Sequence, residues 1–229
     1  EAPENTLGGF QYIHDLGIRA VEFDVRQLKD HELIIMHDDN MLRTTGIDQA
    51  LYPLSSTQLD SYNQAHIWLD WEKQSTPTLR QALQIMQDFE HLEVEVKAVQ
   101  TQAEAERLTQ HLTQQLRGFE HSAVITSFDL KILQALQDQH SPFKRGLLIE
   151  DDIQHLAIEQ ALKYDCCQIG WMNQLATDDL LKATQQANLA ISVWTVNDIE
   201  RAKHLRDCGI DGLITDFPKM MLQHLIDVH

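Results

Sequence analysis

The sequence predicts an α/β fold of the (β/α)8, TIM-type barrel class, and three observations carry the prediction. The 229 residues exceed a typical domain of about 150 but suit one α/β barrel. From residue 102 onward, short apolar runs alternate with amphipathic segments at a regular pitch, the pattern of parallel β/α units. Together with the strands expected at Ala20–Val25 and Leu92–Lys97, these units give seven barrel strands, and the chain opens on a loop and a helix. The remaining strand is therefore expected just ahead of Glu1, and the whole of 1–229 is expected to form a single barrel domain.

The elements follow in order. Thr6 is placed to cap a helix over Leu7–Leu16 that Gly17 ends. Ala20–Val25 is the first visible strand. A second apolar run, Leu33–Met36, is followed by a loop-like stretch, 41–75, with a short helix at Thr57–Asn63 and an aromatic patch at Trp68 and Trp71. This stretch reads as a small insertion after the second barrel strand. Leu79, Ala82, Leu83 and Met86 share one face of a helix over Thr78–Phe89, and Leu92–Lys97 alternates as a strand. The regular part then gives helices at Gln102–Leu116, Leu130–Gln137, Ile153–Leu162, Thr177–Ala187 and Ile199–Asp207, with a last one around Met220–Val228. Its strands are Ala123–Thr126, Arg145–Ile149, Cys166–Ile169, Ala190–Trp194 and Gly212–Ile214.

Composition narrows the function. An apolar fraction of 43% with 23% charged residues fits a folded globular chain. The formal net charge of -17 repels nucleic-acid backbones and anionic membranes, so neither is an expected partner, and an anionic substrate needs local cations. No apolar run reaches the ~18 residues of a membrane span, so no stable membrane insertion is expected. Cys166, Cys167 and Cys208 are odd in number and two are adjacent, which predicts free thiols and a cytoplasmic setting. No Cys/His spacing of the zinc type stands out. The opening Glu-Ala-Pro-Glu-Asn-Thr carries no initiator methionine, so the natural N-terminus is expected upstream.

The chemistry concentrates in Ala20–Gly46. Glu22 and Asp24 are two apart in a strand, so both carboxylates face the same way. Charges without partners are costly to bury, and a divalent cation between them accounts for the pair; a solvated strand edge is the plain alternative. In a barrel the catalytic groups sit at strand C-terminal ends. Those ends present Glu22 and Asp24, then Glu95 and Lys97, Ser127 and Phe128, Trp171, Trp194 with Asn197, and Asp216. Three carboxylates with one ammonium suit a hard cation, Mg²⁺ or Ca²⁺, and an anionic group on a substrate. Lys97 either binds a phosphate oxygen or pairs with the carboxylates, and Glu93 lies on the same face one step deeper. His37 ends an apolar run, and an imidazole is a natural proton donor or acceptor near neutral pH. His14, His91, His111, His121, His155 and His204 fall in or beside predicted helices and read as surface residues. Trp194 is placed either in the core or as an aromatic wall at the barrel mouth.

Eight short motifs, spread in order across nearly the whole chain, make the sequence resemble the glycerophosphodiester phosphodiesterases in their shorter bacterial form. They are PENT at Pro3–Thr6, VEFDV at Val21–Val25, MHD with LRTTG at Met36–Gly46, TPTL at Thr76–Leu79, VEVK at Val94–Lys97, TSF at Thr126–Phe128, WTVN at Trp194–Asn197 and ITDFP at Ile214–Pro218. The resemblance implies a TIM-type barrel that releases sn-glycerol 3-phosphate and an alcohol from deacylated phospholipids. It also implies Glu22, Asp24 and Glu95 as metal ligands, His37 as one of two catalytic histidines, Lys97 as the phosphate-binding lysine, and Glu4 and Trp194 as further substrate-binding residues. Its usual scheme has a glycerol hydroxyl attack phosphorus, giving a cyclic diester that water opens.

Two departures qualify the match. The family carries His-Arg-Gly a few residues before PENT, and this sequence starts too late to include it, so truncation is the expectation. Glu93 stands where asparagine is frequent in the family. The expected function is metal-dependent hydrolysis of a small glycerophosphodiester. The rivals are a related barrel phosphodiesterase acting on lysophospholipids or sphingolipids, with Trp68 and Trp71 as its lipid-capturing candidates, and a non-catalytic barrel that binds phosphodiesters.

Overall fold

The structure, a computed structural model, describes residues 1–225. The chain divides into two compact units. The first holds Ala2–Lys97 and Arg107–Ala123, and the second holds Glu1, Ala98–Glu106 and the described residues from Val124 on.

The first unit begins with α1 (Leu7–Asp15), whose free N-terminal amides are met by Thr6: its Oγ1 accepts from the Gly9 amide at 3.0 Å. Gly17 follows the helix at φ 83°, a left-handed conformation that suits a residue without Cβ. Next come β1 (Ala20–Gln27), β2 (Leu33–Ile35), α2 (Leu42–Thr45), α3 (Ser56–Leu59), α4 (Leu79–Ile85) and β3 (His91–Val96), then α5 (Gln102–Gln115), which belongs to this unit from Arg107 on. Strand order here is β2-β1-β3. β2 runs antiparallel to β1, with Val25 opposite Ile35, so Leu33–Met36 stands apart from the parallel strands and opens the excursion. The excursion has its own small core of Leu28, Ile34, Met36, Met41, Leu51, Leu54 and Leu59. It carries α2, which the sequence does not announce. α3 starts one residue earlier than expected, where Ser55 and Gln58 close a capping box, and it ends at Leu59 instead of Asn63.

The second unit repeats one βα pattern through β4 (Ala123–Ser127), which belongs to it from Val124, α6 (Leu130–Asp138), β5 (Lys144–Ile149), α7 (Leu156–Lys163), β6 (Gln168–Met172), α8 (Asp178–Gln186), β7 (Ala190–Trp194), α9 (Ile199–Asp207), β8 (Gly212–Leu213) and α10 (Pro218–Leu225). The strands are parallel in the order β4-β5-β6-β7-β8. Ile169, Ile191 and Val193 are fully buried in its core beside Leu181, Ala202 and Leu205. Each such aliphatic side chain contributes about 1.5–3 kcal/mol by leaving water.

Two expectations need correction here. β6 lies two residues later than Cys166–Ile169, because Trp171 is drawn into the core. It is fully buried, and its indole N–H donates to Thr184 Oγ1 at 3.2 Å. Trp171 is thus a packing residue and not part of a strand-end site. α7 begins at Leu156 rather than Ile153, since Ile153–His155 form a turn in which the Ile153 amide donates to Asp151 O. The expected helical stretch at 226–228 lies outside the described residues. Among the described residues no helix is long and apolar enough to cross a membrane.

Candidate active site

The parallel register of β1 and β3 sets Glu22 opposite Glu93 and Asp24 opposite Glu95. Residues two apart share a face, so four carboxyl groups gather on one side of two adjacent strands. Asp24, Glu93 and Glu95 are all buried. One oxygen each from Glu22, Asp24 and Glu95 lies within 4.8 Å of the other two. Lys97 follows the last residue of β3, its amide held by Val25 O at 3.2 Å. Its Nζ sits 2.5 Å from Asp24 Oδ1 and also pairs with Glu95 Oε1. Asn5 clamps Asp24 from the other side: Nδ2 donates to Asp24 Oδ2 at 2.6 Å, and Oδ1 accepts from the Asp24 amide at 3.3 Å.

One ammonium does not balance this set. Burial pushes the Glu22 carboxyl well above the ordinary range, and Asp24, Glu95 and Glu93 push it further, with Lys97 alone opposing. Burial and Asp24 also raise Glu95, against Lys97 and His37. Burial by itself would lower Lys97, but Asp24 and Glu95 more than offset it and the ammonium is held charged. Glu22 Oε1 is buried and finds no hydrogen-bond partner among the described residues. An orphaned carboxylate oxygen beside two more carboxylates is what a hard divalent cation satisfies, and the all-oxygen donor set matches Mg²⁺ or Ca²⁺. The residues present fit such an ion.

His37 is delivered by β2, where the Met36 amide donates to Asp24 O at 3.0 Å and ties the end of the run to β1. Arg26 grips the His37 carbonyl with Nε at 3.1 Å and Nη2 at 2.5 Å, while its Nη1 donates to the Tyr52 hydroxyl at 2.6 Å. The imidazole Nδ1 lies 2.6 Å from Asp38 Oδ1. Partial burial would raise the Asp38 carboxyl, but hydrogen bonds from Arg43 and His37 hold it below the usual range. An ionised carboxylate only accepts, so the proton between them belongs to Nδ1. Arg43 in turn donates from Nε to Asp38 Oδ2 at 2.6 Å and forks onto Glu4, with Nη1 2.8 Å from Oε2 and Nη2 2.5 Å from Oε1.

Of the residues expected from sequence, Glu22, Asp24, Glu95 and Lys97 form one cluster, and Glu4 and His37 are joined through Arg43 and Asp38. All lie in the first unit. Trp194 belongs to the second, at the end of β7. It is half-buried, its indole N–H donates to Gly170 O at 3.2 Å, and Phe128 meets its ring edge-on at 5.4 Å between centroids. Nearby, Asn197 Nδ2 donates to Asp216 Oδ2 at 2.7 Å. Glu93 has His91 Nε2 at 3.8 Å. The sequence reading missed the parts played by Asn5, Arg26, Asp38 and Arg43, although Asn5, Asp38 and Arg43 lie inside the PENT, MHD and LRTTG motifs.

Comparison with known proteins bears on this arrangement as a whole. The model of the glycerophosphoryl diester phosphodiesterase family matches residues 1–220. The chain belongs to this family. Its enzymatic class is accordingly that of the glycerophosphodiester phosphodiesterases. A glycerophosphodiester phosphodiesterase of Caldanaerobacter subterraneus subsp. tengcongensis is 23% identical over 96% of this chain and 91% of its own length. A solved Oleispira antarctica phosphodiesterase, in complex with the product sn-glycerol-3-phosphate, superimposes with a TM-score of 0.85 at 22% identity, covering 98% of this chain and 92% of that one. The Thermotoga maritima glycerophosphodiester phosphodiesterase gives 0.78 at 22% identity, covering 97% and 92%. These likenesses show the fold, the α/β barrel class expected from the strand and helix rhythm.

Proposed function

We propose that the protein hydrolyses small glycerophosphodiesters to sn-glycerol 3-phosphate and an alcohol in a divalent-cation-dependent reaction. One observation carries the reading: three buried or half-buried carboxylates converge with an orphaned oxygen on one face of two adjacent strands, beside an ammonium, and His37, hydrogen-bonded to Asp38, is close enough to act electrostatically on Glu95. The product held by the Oleispira antarctica phosphodiesterase supports the choice of substrate.

In this reading Glu22, Asp24 and Glu95 hold the cation, which when bound orients a hydroxyl and offsets negative charge that grows on the phosphate. Lys97 offers its ammonium to a phosphate oxygen while keeping Asp24 and Glu95 apart in charge. His37 acts through Nε2, because Asp38 occupies Nδ1. The imidazolium gives its Nε2 proton to the alcohol oxygen as the phosphorus–oxygen bond breaks, so the alcohol leaves neutral. Glu4 keeps Arg43, and through it Asp38 and His37, in place. Trp194 is assigned to substrate contact on the WTVN motif alone.

The test is release of glycerol 3-phosphate from glycerophosphocholine and glycerophosphoethanolamine, with EDTA and with Mg²⁺ or Ca²⁺ added back. Release that EDTA abolishes and one of the ions restores is the expected result, and His37→Ala should lose at least ~100-fold in kcat. Metal-independent release, or near-native turnover by His37→Ala, would overturn the scheme. The lysolipid alternative draws on Leu69, 92% exposed, and on the exposed Ile67 in the excursion. A lysophosphatidylcholine arm in the same assay separates it: turnover above that of glycerophosphocholine would favour the lipid substrate.

A further inference from the structure

Away from the carboxylate cluster, α8 and α9 bring together three donors of different chemistry. His204 lies in the last turn of α9 and Cys208 caps it, four residues on, with the Cys208 amide donating to His204 O at 2.9 Å. An i, i+4 pair projects from one helix face. Asp178, the first residue of α8, faces them. His204 Nε2 is 2.7 Å from Asp178 Oδ1 and 3.5 Å from Cys208 Sγ, and Sγ is 3.8 Å from Asp178 Oδ1. One ligand atom from each residue falls within 4.8 Å of the others. The His204 and Asp178 side chains are both exposed, so an ion reaches them directly from solvent.

We infer that Asp178, His204 and Cys208 form a second metal site, selective for a borderline-soft divalent ion of the Zn²⁺ class. The distances decide this. Zinc bonds of ~2.3 Å to sulfur and ~2.0–2.2 Å to nitrogen and oxygen, at tetrahedral angles, require donors about 3.4–3.6 Å apart. The two edges that involve sulfur already meet that spacing within about 0.2 Å. Only the nitrogen–oxygen edge, now a hydrogen bond, has to open, by about 0.7 Å. Sulfur and nitrogen donors favour Zn²⁺ over Mg²⁺ and Ca²⁺, so this site and the all-oxygen cluster take different ions. Binding releases the Cys208 thiol proton to solvent and moves the imidazole proton from Nε2 to Nδ1. The fourth position is left for water. The negative charge that a cation meets comes from Asp178 and from the Cys208 thiolate formed on binding, since Asp207 is paired with Arg206 at 3.0 Å and the Arg201 guanidinium acts on Asp178 in the opposite sense.

The test is titration of the full chain with Co²⁺ in a non-thiol reductant and excess Mg²⁺, read by the near-ultraviolet thiolate-to-Co²⁺ band. The oxygen cluster gives no such band. Saturation at one equivalent is expected, with the band absent in Cys208→Ser and the apparent affinity reduced at least ~10-fold in His204→Ala and Asp178→Asn. Zn²⁺ should displace the Co²⁺ and slow alkylation of Cys208 in the unaltered protein, a readout that does not depend on a variant folding. No band, an equal band in a folded Cys208→Ser, or alkylation that Zn²⁺ leaves unchanged would overturn the site. Phosphodiester hydrolysis is not part of the readout, so this result stands or falls separately from the proposed activity.

Discussion

Arg43 Nε holds Asp38 Oδ2 at 2.6 Å, while the other oxygen of the same carboxylate holds Nδ1 of His37 at 2.6 Å. One guanidinium therefore sets the tautomer and ring angle of the candidate acid without touching it, and its fork fixes Glu4 as well. This is the outer support on which a positioned imidazole depends.

Replacing Arg43 by lysine tests that chain. A lysine keeps the charge but cannot donate in two directions from a planar fork, so Asp38 and Glu4 lose their common anchor. Arg43→Lys is expected to lower kcat on glycerophosphocholine about 10–100-fold. Its melting temperature should move little, because these pairs are substantially exposed and worth about 0–1 kcal/mol. Native kcat in this variant would show that the fork does not position His37.

Asn5 offers a second, independent test. Its φ of 53° belongs to the left-handed region, where asparagine and aspartate are tolerated and alanine is strained. Asn5→Asp keeps that backbone preference yet puts an acceptor where a donor met Asp24 Oδ2 at 2.6 Å. If Asp24 holds the proposed cation, the variant should need about 10–100-fold more of the ion that restores activity, Mg²⁺ or Ca²⁺, for half-maximal turnover, as expected when an outer partner of a ligand is lost. An unchanged requirement for that ion would exclude a role for Asn5 in shaping the cluster.

How far the sequence discloses such features depends on whether the signal is local. Glu22 and Asp24 are legible because strand alternation alone puts them on one face, and β7 and α9 fall at the expected residues because their apolar spacing leaves one solution. β6 does not, since Cys166–Trp171 is apolar enough to pair in more than one register, and the hydrogen bond from Trp171 to Thr184 settles which. Arg43 and Asp38 sit in a polar loop, where a charged residue looks the same with or without a partner. The Asp178, His204 and Cys208 grouping is equally hidden, because 26 residues separate its first two members and only the meeting of two helices joins them.

Asp30 provides a pH-dependent probe of the excursion. Its Oδ2 accepts from both the amide and the hydroxyl of Ser56 at the start of α3, at 2.8 and 2.9 Å. What burial there is raises the carboxyl, but the Ser56 bonds outweigh it and the folded value lies below the ordinary one. A depressed aspartate stabilises the fold above its unfolded pKa of about 3.9, and that contribution is lost as pH falls through the folded value. Asp30→Asn should therefore melt below the native protein at pH 6–7, with the gap closing on acidification below about pH 4. A gap that stays constant with pH would mean that the carboxylate charge is not what ties Asp30 to Ser56.

Lys97 separates a structural from a purely substrate-binding role. Its Nζ is 2.5 Å from Asp24 Oδ1 and pairs with Glu95, and all three side chains are largely buried. Removing one partner of a buried ion pair leaves an uncompensated charge, a loss of about 3–5 kcal/mol. Lys97→Met is thus expected to melt well below the native protein in EDTA. Adding Mg²⁺ should raise its melting temperature more than it raises that of the native protein, because a cation bound by Glu22, Asp24 and Glu95 restores positive charge where the ammonium was. If Lys97 served the substrate phosphate alone, Lys97→Met would keep its native melting temperature and only KM would rise. Differential scanning fluorimetry with and without Mg²⁺, set beside KM for glycerophosphocholine, distinguishes the two outcomes.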